Sequence, residues 1–157
     1  MKLTTRGRYA VMAMVDLASH TEQWPIPLAD ISDRQEISLS YLEQLFSKLR
    51  RRGLVRSVRG PGGGYSLIET DQGISVADII RAVDEPIQAT SCTSRKNGGC
   101  QRSSRCVTHD LWEKLGDHIY QFLESIDLHG LAQQCQHDIS LLNDGVTAEV
   151  ERAVSRS

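Results

Sequence analysis

The sequence lacks any long apolar run. No stretch of its 157 residues approaches the roughly 18–20 consecutive apolar residues that a membrane-spanning helix needs. The first eight residues also lack the apolar core of a secretory signal peptide. We therefore expect a cytoplasmic protein with no membrane partner, whose four cysteines stay reduced and are free thiols or metal ligands rather than disulfides.

The sequence also lacks the patterns of common enzymes. Its glycine-rich stretch, 59–64, is not followed by the Gly-Lys-Ser/Thr of a phosphate-binding loop. We find no internal repeat, and no set of nucleophile, base and orienting group. With 39% hydrophobic and 24% charged residues, the chain is apolar enough to bury a core. We therefore expect a small globular protein that is not an enzyme.

Charge is unevenly distributed, although the net charge is only −2. Residues 1–64 carry ten basic and six acidic side chains, and the stretch 48–59 holds six basic residues and no acidic one. One basic stretch on a near-neutral chain is typical of a local nucleic-acid site. A solvated face without a partner has the same composition, so charge alone leaves both interpretations open.

Hydrophobic spacing predicts three helices in the first third of the chain. The first covers 9–18, the second is short and covers 28–35, and the third begins at Ser40. Ser40 and Glu43 have the spacing of a capping box, in which each side chain satisfies a backbone amide of the other residue. The third helix has one apolar stripe at helical spacing, formed by Leu42, Leu45, Phe46 and Leu49.

Two short β-branched runs, 54–58 and 65–68, flank the glycine-rich turn and predict a β-hairpin. Three helices followed by a hairpin is the order of a winged helix-turn-helix domain, and a fourth helix over 75–83 leads out of it. Further on, apolar residues recur at alternating spacings of three and four from Trp112 to Ile126, which favours a helix that pairs with a second copy of itself over one that packs within its own chain. The residues of this predicted seam are Trp112, Leu115, Ile119, Phe122 and Ile126.

The expected fold is therefore mainly α with a small β-hairpin: a winged helix-turn-helix domain plus a long C-terminal dimerisation helix. We divide the chain into a DNA-binding domain over 1–84, a cysteine loop over 85–109, a dimerisation helix with a following helical segment over 110–142, and a poorly ordered tail over 143–157.

The polar side of the third helix and the hairpin turn supply the candidate DNA contacts. Hydroxyls, an amide and long cations are the groups that base edges and phosphates require, and an arginine at the turn suits a minor groove. Glu43 has two interpretations that the sequence leaves open, a discriminator between operators or a helix cap. The candidate residues are Ser38, Ser40, Tyr41, Glu43, Gln44, Lys48, Arg50, Arg51, Arg59, Gly60 and Gly62.

Three cysteines and a histidine fall within 18 residues of the loop: Cys92, Cys100, Cys106 and His109. Structural zinc accepts this set but usually begins with a tight Cys-x2–4-Cys pair, which is absent here. Wide gaps between thiolates suit a larger iron–sulphur cluster better, and a histidine ligand would raise its potential and make binding sensitive to pH. Spacing alone leaves a cluster, zinc or redox-active thiols open.

Several long motifs resemble the IscR family of bacterial iron–sulphur cluster regulators. They are Leu3-Thr-Thr-Arg-Gly-Arg-Tyr-Ala-Val11, Pro27-Leu-Ala-Asp-Ile-Ser-Asp-Arg-Gln35, Ile37-Ser-Leu-Ser-Tyr-Leu-Glu-Gln-Leu-Phe46, Val58-Arg-Gly-Pro-Gly-Gly-Gly-Tyr65 and Cys106-Val-Thr-His-Asp-Leu-Trp112. The resemblance runs from residue 1 to about 130 and fades in the tail.

This resemblance implies a homodimeric transcription factor that binds operator DNA and holds one [2Fe–2S] cluster per chain through Cys92, Cys100, Cys106 and His109. It implies repression of the cluster-assembly operon in the cluster-bound form, regulation of other promoters without a cluster, and the cluster-assembly machinery as donor. One departure is the seven residues between Cys92 and Cys100, where the family usually has five. That difference keeps the related nitric-oxide-sensing [4Fe–4S] repressors as an alternative, beside a structural zinc or redox thiol loop.

Overall fold

The computed structural model describes residues 4–68, 71–84 and 108–137. Its first helix, α1 (Thr5–Ser19), is capped by Thr4, whose hydroxyl accepts from the backbone N–H of Arg6. A 3₁₀ turn (Thr21–Gln23) follows, then α2 (Leu28–Gln35) and α3 (Leu39–Arg51). The buried stripe of α3 consists of Leu42, Leu45, Phe46 and Leu49, as the spacing predicts.

The third helix begins earlier than predicted. Ser38 is its N-cap, because the Ser38 carbonyl accepts the first helical hydrogen bonds, from Tyr41 and Leu42. Buried Ile37 fixes this start, since its carbonyl accepts from the hydroxyl of Ser32 at 2.6 Å. The predicted capping box is therefore wrong: Glu43 lies in the second turn of α3 and not at its third position, and the Ser38 side chain makes no cap hydrogen bond.

The hairpin is confirmed to within a residue. Strands β1 (Val55–Val58) and β2 (Gly64–Leu67) pair antiparallel, with Val55 opposite Leu67 and Val58 opposite Gly64. The hairpin is tied to the domain because Ile26 and Tyr65 exchange two backbone hydrogen bonds of 2.8 Å. A Cβ on Gly64 would lie 2.3 Å from the carbonyl of Ile26, so only glycine permits this approach.

A fourth helix, α4 (Val76–Ala82), begins with a true capping box between Ser75 and Asp78. It packs against α1 and against the long α5 (His109–Ser125). The guanidinium of Arg81 lies 4.9 Å from the Tyr120 ring centroid and donates to the Tyr120 hydroxyl, which in turn donates to Glu124. That last hydrogen bond is the main reason that the pKa of Tyr120 is raised.

A further helix, α6, covers 128–137 as far as the chain is described. It does not continue α5, because Ile126 is extended and its carbonyl accepts from the N–H of Val76. The predicted seam is therefore wrong at Ile126, which lies outside the helix. Leu128 and Ala132 of α6 complete the core formed by α1 to α4 and the hairpin. Within the described ranges, no helix is long and apolar enough to cross a bilayer.

Candidate functional site

The candidate DNA contacts lie on the exposed side of α3 and in the hairpin turn. Ser38, Ser40, Glu43 and Gln44 are exposed along the first two turns of the helix. The amphipathic pattern produces this placement, because the opposite stripe of α3 is buried in the core. Polar groups on a projecting helix are the arrangement that reads base edges in a major groove.

Tyr41 belongs partly to the packing of the domain. It is half-buried, packs against the core, and its ring meets that of Tyr9 edge-on with centroids 6.0 Å apart. This contact links the start of α3 to α1 and limits how far the Tyr41 ring can move. A phenol held in this way suits a fixed phosphate contact better than a base contact that must adapt.

Several cations of the basic stretch 48–59 make hydrogen bonds within the domain. Arg50 donates to the hydroxyl of Ser57 at 3.3 Å and Arg56 donates to that of Ser66 at 2.9 Å. These hydrogen bonds connect α3 to the hairpin and the two strands to each other. Arg51 and Arg59 are exposed.

Lys48 and Arg52 share an acidic partner that sequence reasoning missed. Lys48 donates to Oδ2 of Asp84 at 2.9 Å, and Nη2 of Arg52 lies 3.8 Å from Oδ1. The hydrogen bond from Lys48, followed by its charge, lowers the pKa of Asp84. Asp84 follows α4 and is 36 residues from Lys48, so no local pattern points to this pair.

The turn of the hairpin is exposed from Arg59 to Gly62. Gly60 has φ +100° and Gly62 has φ +72°, and the N–H of Gly63 donates to the carbonyl of Gly60 at 2.9 Å. The left-handed backbone at both positions explains why glycine is found there. Because these glycines have no side chains, the tip of the hairpin is a narrow stretch of backbone next to Arg59. Such an edge beside an arginine fits a minor groove.

His109 is the one predicted metal ligand that lies within the described residues. It is the first residue of α5, only 8% of it is exposed, and its Nδ1 atom is buried without a hydrogen-bond partner in the described parts of the chain. The other predicted ligands, Cys92, Cys100 and Cys106, lie outside the described residues. Among the described residues themselves, no three His, Cys, Asp or Glu side chains are grouped closely enough to hold a metal ion.

The helix α5 exposes an apolar face. Leu111 is 58% exposed and Phe122 64%, and Trp112 and Leu115 are about two-fifths exposed. Four large apolar side chains on one solvent-facing helix are unusual for a monomer. Cys135, the fourth cysteine, is an exposed free thiol on α6.

Comparison with known proteins identifies the family. Residues 3–134 match the family model Rrf2, described as an iron-dependent transcriptional regulator. The HTH-type transcriptional regulator IscR of Photorhabdus laumondii is 60% identical over 131 residues, which are 83% of this chain and 79% of that protein.

Solved structures give the same answer. The structure of T. potens IscR has a TM-score of 0.69 and 38% identity, covering 86% of this chain and 88% of that one. CymR, the global cysteine regulator of B. subtilis, has a TM-score of 0.71 and 34% identity, covering 85% and 98%. These similarities confirm the winged-helix fold, DNA binding and the non-enzymatic class. The chain is similar to many curated IscR proteins, and it belongs to the Rrf2 family of transcriptional regulators.

Proposed function

We propose that the chain is a cytoplasmic, homodimeric regulator that senses iron–sulphur cluster status through one [2Fe–2S] cluster per chain. In this proposal Cys92, Cys100, Cys106 and His109 hold the cluster, and the cluster-bound dimer represses the cluster-assembly operon. The observation that carries the proposal is the buried, unpartnered Nδ1 of His109.

A buried polar atom without a partner costs about 1–3 kcal/mol, and native proteins rarely leave one unsatisfied. At His109 the cost is avoided if Nδ1 donates its lone pair to a metal, as a neutral imidazole does. His109 opens α5 directly after the cysteine segment, since Cys106 is three residues earlier in the chain. The donor set of three thiols and one imidazole also fits the chemistry of a cluster.

A bound [2Fe–2S] cluster supplies a redox-active group whose presence depends on cellular iron and sulphide. The chain itself supplies the ligands, and the cluster-assembly machinery is the donor. Ligation by His109 requires the imidazole to be neutral, so we expect cluster retention to depend on pH. Occupancy changes DNA binding only if the two states differ in affinity for DNA.

The DNA-binding half of the proposal assigns the domain 1–84 to one operator half-site. Gln44 and Ser40 face base edges, Lys48 and Tyr41 face phosphates, and Arg59 enters the adjacent minor groove. The remaining predicted contacts are Ser38, Glu43, Arg50, Arg51, Gly60 and Gly62. The exposed apolar face of α5 supports the homodimer, which places two α3 helices on a twofold operator. In this proposal the loop 85–109 holds the cluster and the region 110–142 contains the dimerisation helix; residues 85–107 and 138–157, which include the predicted tail 143–157, lie outside the described residues.

A second candidate is a winged-helix regulator whose cysteine loop holds structural zinc or senses thiol oxidation. The structural similarity to a cysteine regulator favours keeping it, because that protein shares the fold at 34% identity. A nitric-oxide-sensing [4Fe–4S] repressor is the third alternative. All three share DNA binding, so the bound metal separates them.

The decisive experiment is anaerobic purification followed by quantification of iron, acid-labile sulphide and zinc per chain. We expect about two iron and two sulphide. About four of each would support the [4Fe–4S] alternative, and about one zinc without sulphide would support a structural site. His109→Ala should lose cluster, whereas Cys135→Ala, which removes the exposed thiol outside the loop, should retain it. His109→Cys should also retain cluster, at a lower potential than the native protein.

The sensing step needs its own measurement. Selection from a random-sequence duplex library, carried out with apo and cluster-bound protein at one salt concentration, should yield operators that the two forms bind with different affinities. Equal affinity for every selected operator would contradict sensing while leaving DNA binding intact.

A further inference from the structure

Asp84 pairs with Lys48, one of the candidate DNA contacts, and with Arg52 at the end of the same helix. Its carboxylate accepts from Lys48 at 2.9 Å and pairs with Arg52 at 3.8 Å. Lys48 is one turn beyond Gln44 on α3, and Arg52 is the C-cap of the same helix. The carboxylate therefore occupies the position next to Lys48 that a phosphate oxygen would take.

Stabilising the fold is not a sufficient role for this pair. The Asp84 side chain is 59% exposed and the Lys48 side chain 33%, and exposed ion pairs contribute little to folding because water and salt screen them. The backbone of Asp84 nevertheless adopts a specific and uncommon conformation. Asp84 has φ +58°, a left-handed conformation that non-glycine residues adopt infrequently, and its N–H donates to the carbonyl of Arg81 at 3.1 Å.

We propose that Asp84 is an internal competitor for DNA phosphate, which sets the overall DNA affinity of the domain without changing its sequence preference. A phosphate that approaches Lys48 either displaces the carboxylate or binds beside it, and in both cases the carboxylate is close enough to repel the phosphate. The effect falls on backbone contacts, which carry affinity and salt dependence but no sequence information. The inference rests on the proposed contact between Lys48 and phosphate.

The charge state of the Asp84 carboxyl supports its role as a competitor for phosphate. Because the pKa of Asp84 lies below its ordinary value, the carboxylate is charged throughout the pH range in which DNA binding is measured. Competition is therefore a permanent property of the domain. It weakens binding to all duplexes alike and leaves discrimination to the base contacts.

The test uses Asp84→Asn, which removes the charge but keeps a side chain that accepts left-handed backbone well. The full-length protein is titrated against a labelled 30-base-pair duplex of mixed sequence and against a duplex selected for tight binding, over a series of salt concentrations. We expect roughly three- to tenfold tighter binding to both duplexes, with their affinity ratio unchanged. The slope of log K against log salt should steepen by up to about 0.9, the value for one additional phosphate neutralised.

A matched control is Asp71→Asn, which removes the same charge from another exposed aspartate. It should change affinity less than twofold. In a Lys48→Gln background, Asp84→Asn should lose most of its effect, because the two residues act through one interaction. A gain of the same size in that background, or no gain in the native background, would overturn the proposal.

The outcomes also separate this inference from the proposed function. If Lys48→Gln leaves affinity and salt slope unchanged while the protein still binds the selected duplex, the Lys48 contact is wrong, the inference fails with it and DNA binding stands. If native protein binds no selected duplex more tightly than the mixed one, the proposed operator recognition fails.

Discussion

Arg34 holds the buried carboxylate of Asp16 with three hydrogen bonds, from Nη2 to Oδ1 at 2.6 Å and from Nε to Oδ2 at 3.0 Å and to Oδ1 at 3.2 Å. The Asp16 side chain is only 2% exposed, and Gln35 donates to it at 2.8 Å. Together these contacts join the last turns of α1 to the end of α2, immediately before the turn that leads into α3. The hydrogen bond with Asp16 raises the pKa of Arg34, so this cation is permanent.

We expect Arg34→Met to lower the free energy of unfolding by about 2–4 kcal/mol, because it leaves the Asp16 carboxylate buried without its bidentate partner. Urea denaturation followed by circular dichroism measures this change. The double variant Asp16→Leu/Arg34→Met should be less destabilised than Arg34→Met alone, since no uncompensated charge remains. A single variant as stable as the native protein would show that the pair does not hold α1 and α2 together.

Gly64→Ala should destabilise the domain by about 2–3 kcal/mol, because its Cβ would lie 2.3 Å from the backbone of Ile26 and force the hairpin away. Thermal unfolding measures the loss, and DNA affinity should fall with it. Gly130→Ala is the matched control. Its added Cβ meets only Asp127, at 3.9 Å, and within helix α6 alanine should be neutral or stabilising by up to about 1 kcal/mol. Equal effects of the two variants would refute the close-approach explanation.

Glu43→Ala should change the ranking of a panel of operator variants while leaving thermal stability within about 0.5 kcal/mol of the native value. The structure removes the capping explanation, since Glu43 is exposed in the second turn of α3. Competition binding with single-base variants of a selected operator measures the ranking. Glu22→Ala, which removes an exposed carboxylate outside α3, should preserve it. An unchanged ranking for Glu43→Ala would mean that Glu43 does not discriminate between operators.

The proposed dimer predicts that Phe122→Glu shifts the protein from dimer to monomer at micromolar concentration, because it places a charge at the most exposed side chain of the apolar face of α5. Sedimentation velocity measures the mass in solution, and affinity for a twofold operator should drop at least tenfold when the second half-site contact is lost. Lys114→Glu changes an exposed charge on the same helix, and this variant should remain dimeric. Dimers of unchanged stability in Phe122→Glu would place the interface elsewhere.

The Asp84 carboxyl should titrate below its ordinary value of 3.8 in the native protein and close to it in Lys48→Gln. Because the pKa is lowered in the folded state, the ion pair stabilises the protein above the ordinary value, and this contribution disappears as the pH falls through the folded value. Carbon-13 NMR of the side-chain carboxyl measures both curves. Coincident curves would show that Lys48 and Asp84 do not pair in solution.

Local patterns account for what the sequence could predict. Apolar spacing gives the buried stripe of α3, the β-branched runs give the hairpin within a residue, and Ser75 with Asp78 gives the start of α4. The start of α3 differs from the predicted one because Ser38 and Ser40 can each serve as N-cap. Burial of Ile37 in the folded chain selects Ser38. The end of α5 at Ser125 cannot be predicted from local sequence either, because it depends on backbone pairing between Val76 and Ile126.

In the candidate site, too, some features follow from local sequence patterns and others depend on tertiary contacts. Polar residues on the exposed face of α3 follow from helical periodicity, and the glycines at the hairpin turn follow from its backbone. The charged partners that hold side chains in place do not follow from a local pattern. Asp16 and Arg34 are 18 residues apart, and Lys48 and Asp84 are 36 apart, so each pair depends on how whole helices pack. The burial of His109 is likewise a property of the folded chain, since its neighbours in sequence, Thr108 and Asp110, are exposed.

The paired backbone hydrogen bonds between Ile26 and Tyr65 have a consequence for recognition. They form an isolated antiparallel bridge between the segment before α2 and β2, so β2 is held by β1 on one side and by Ile26 on the other, close to the hairpin turn. Its conformational entropy is lost when the protein folds and not when it meets DNA. In the proposed complex, Arg59 therefore meets the duplex on a preorganised hairpin, and we expect binding to favour DNA whose minor groove already fits that hairpin.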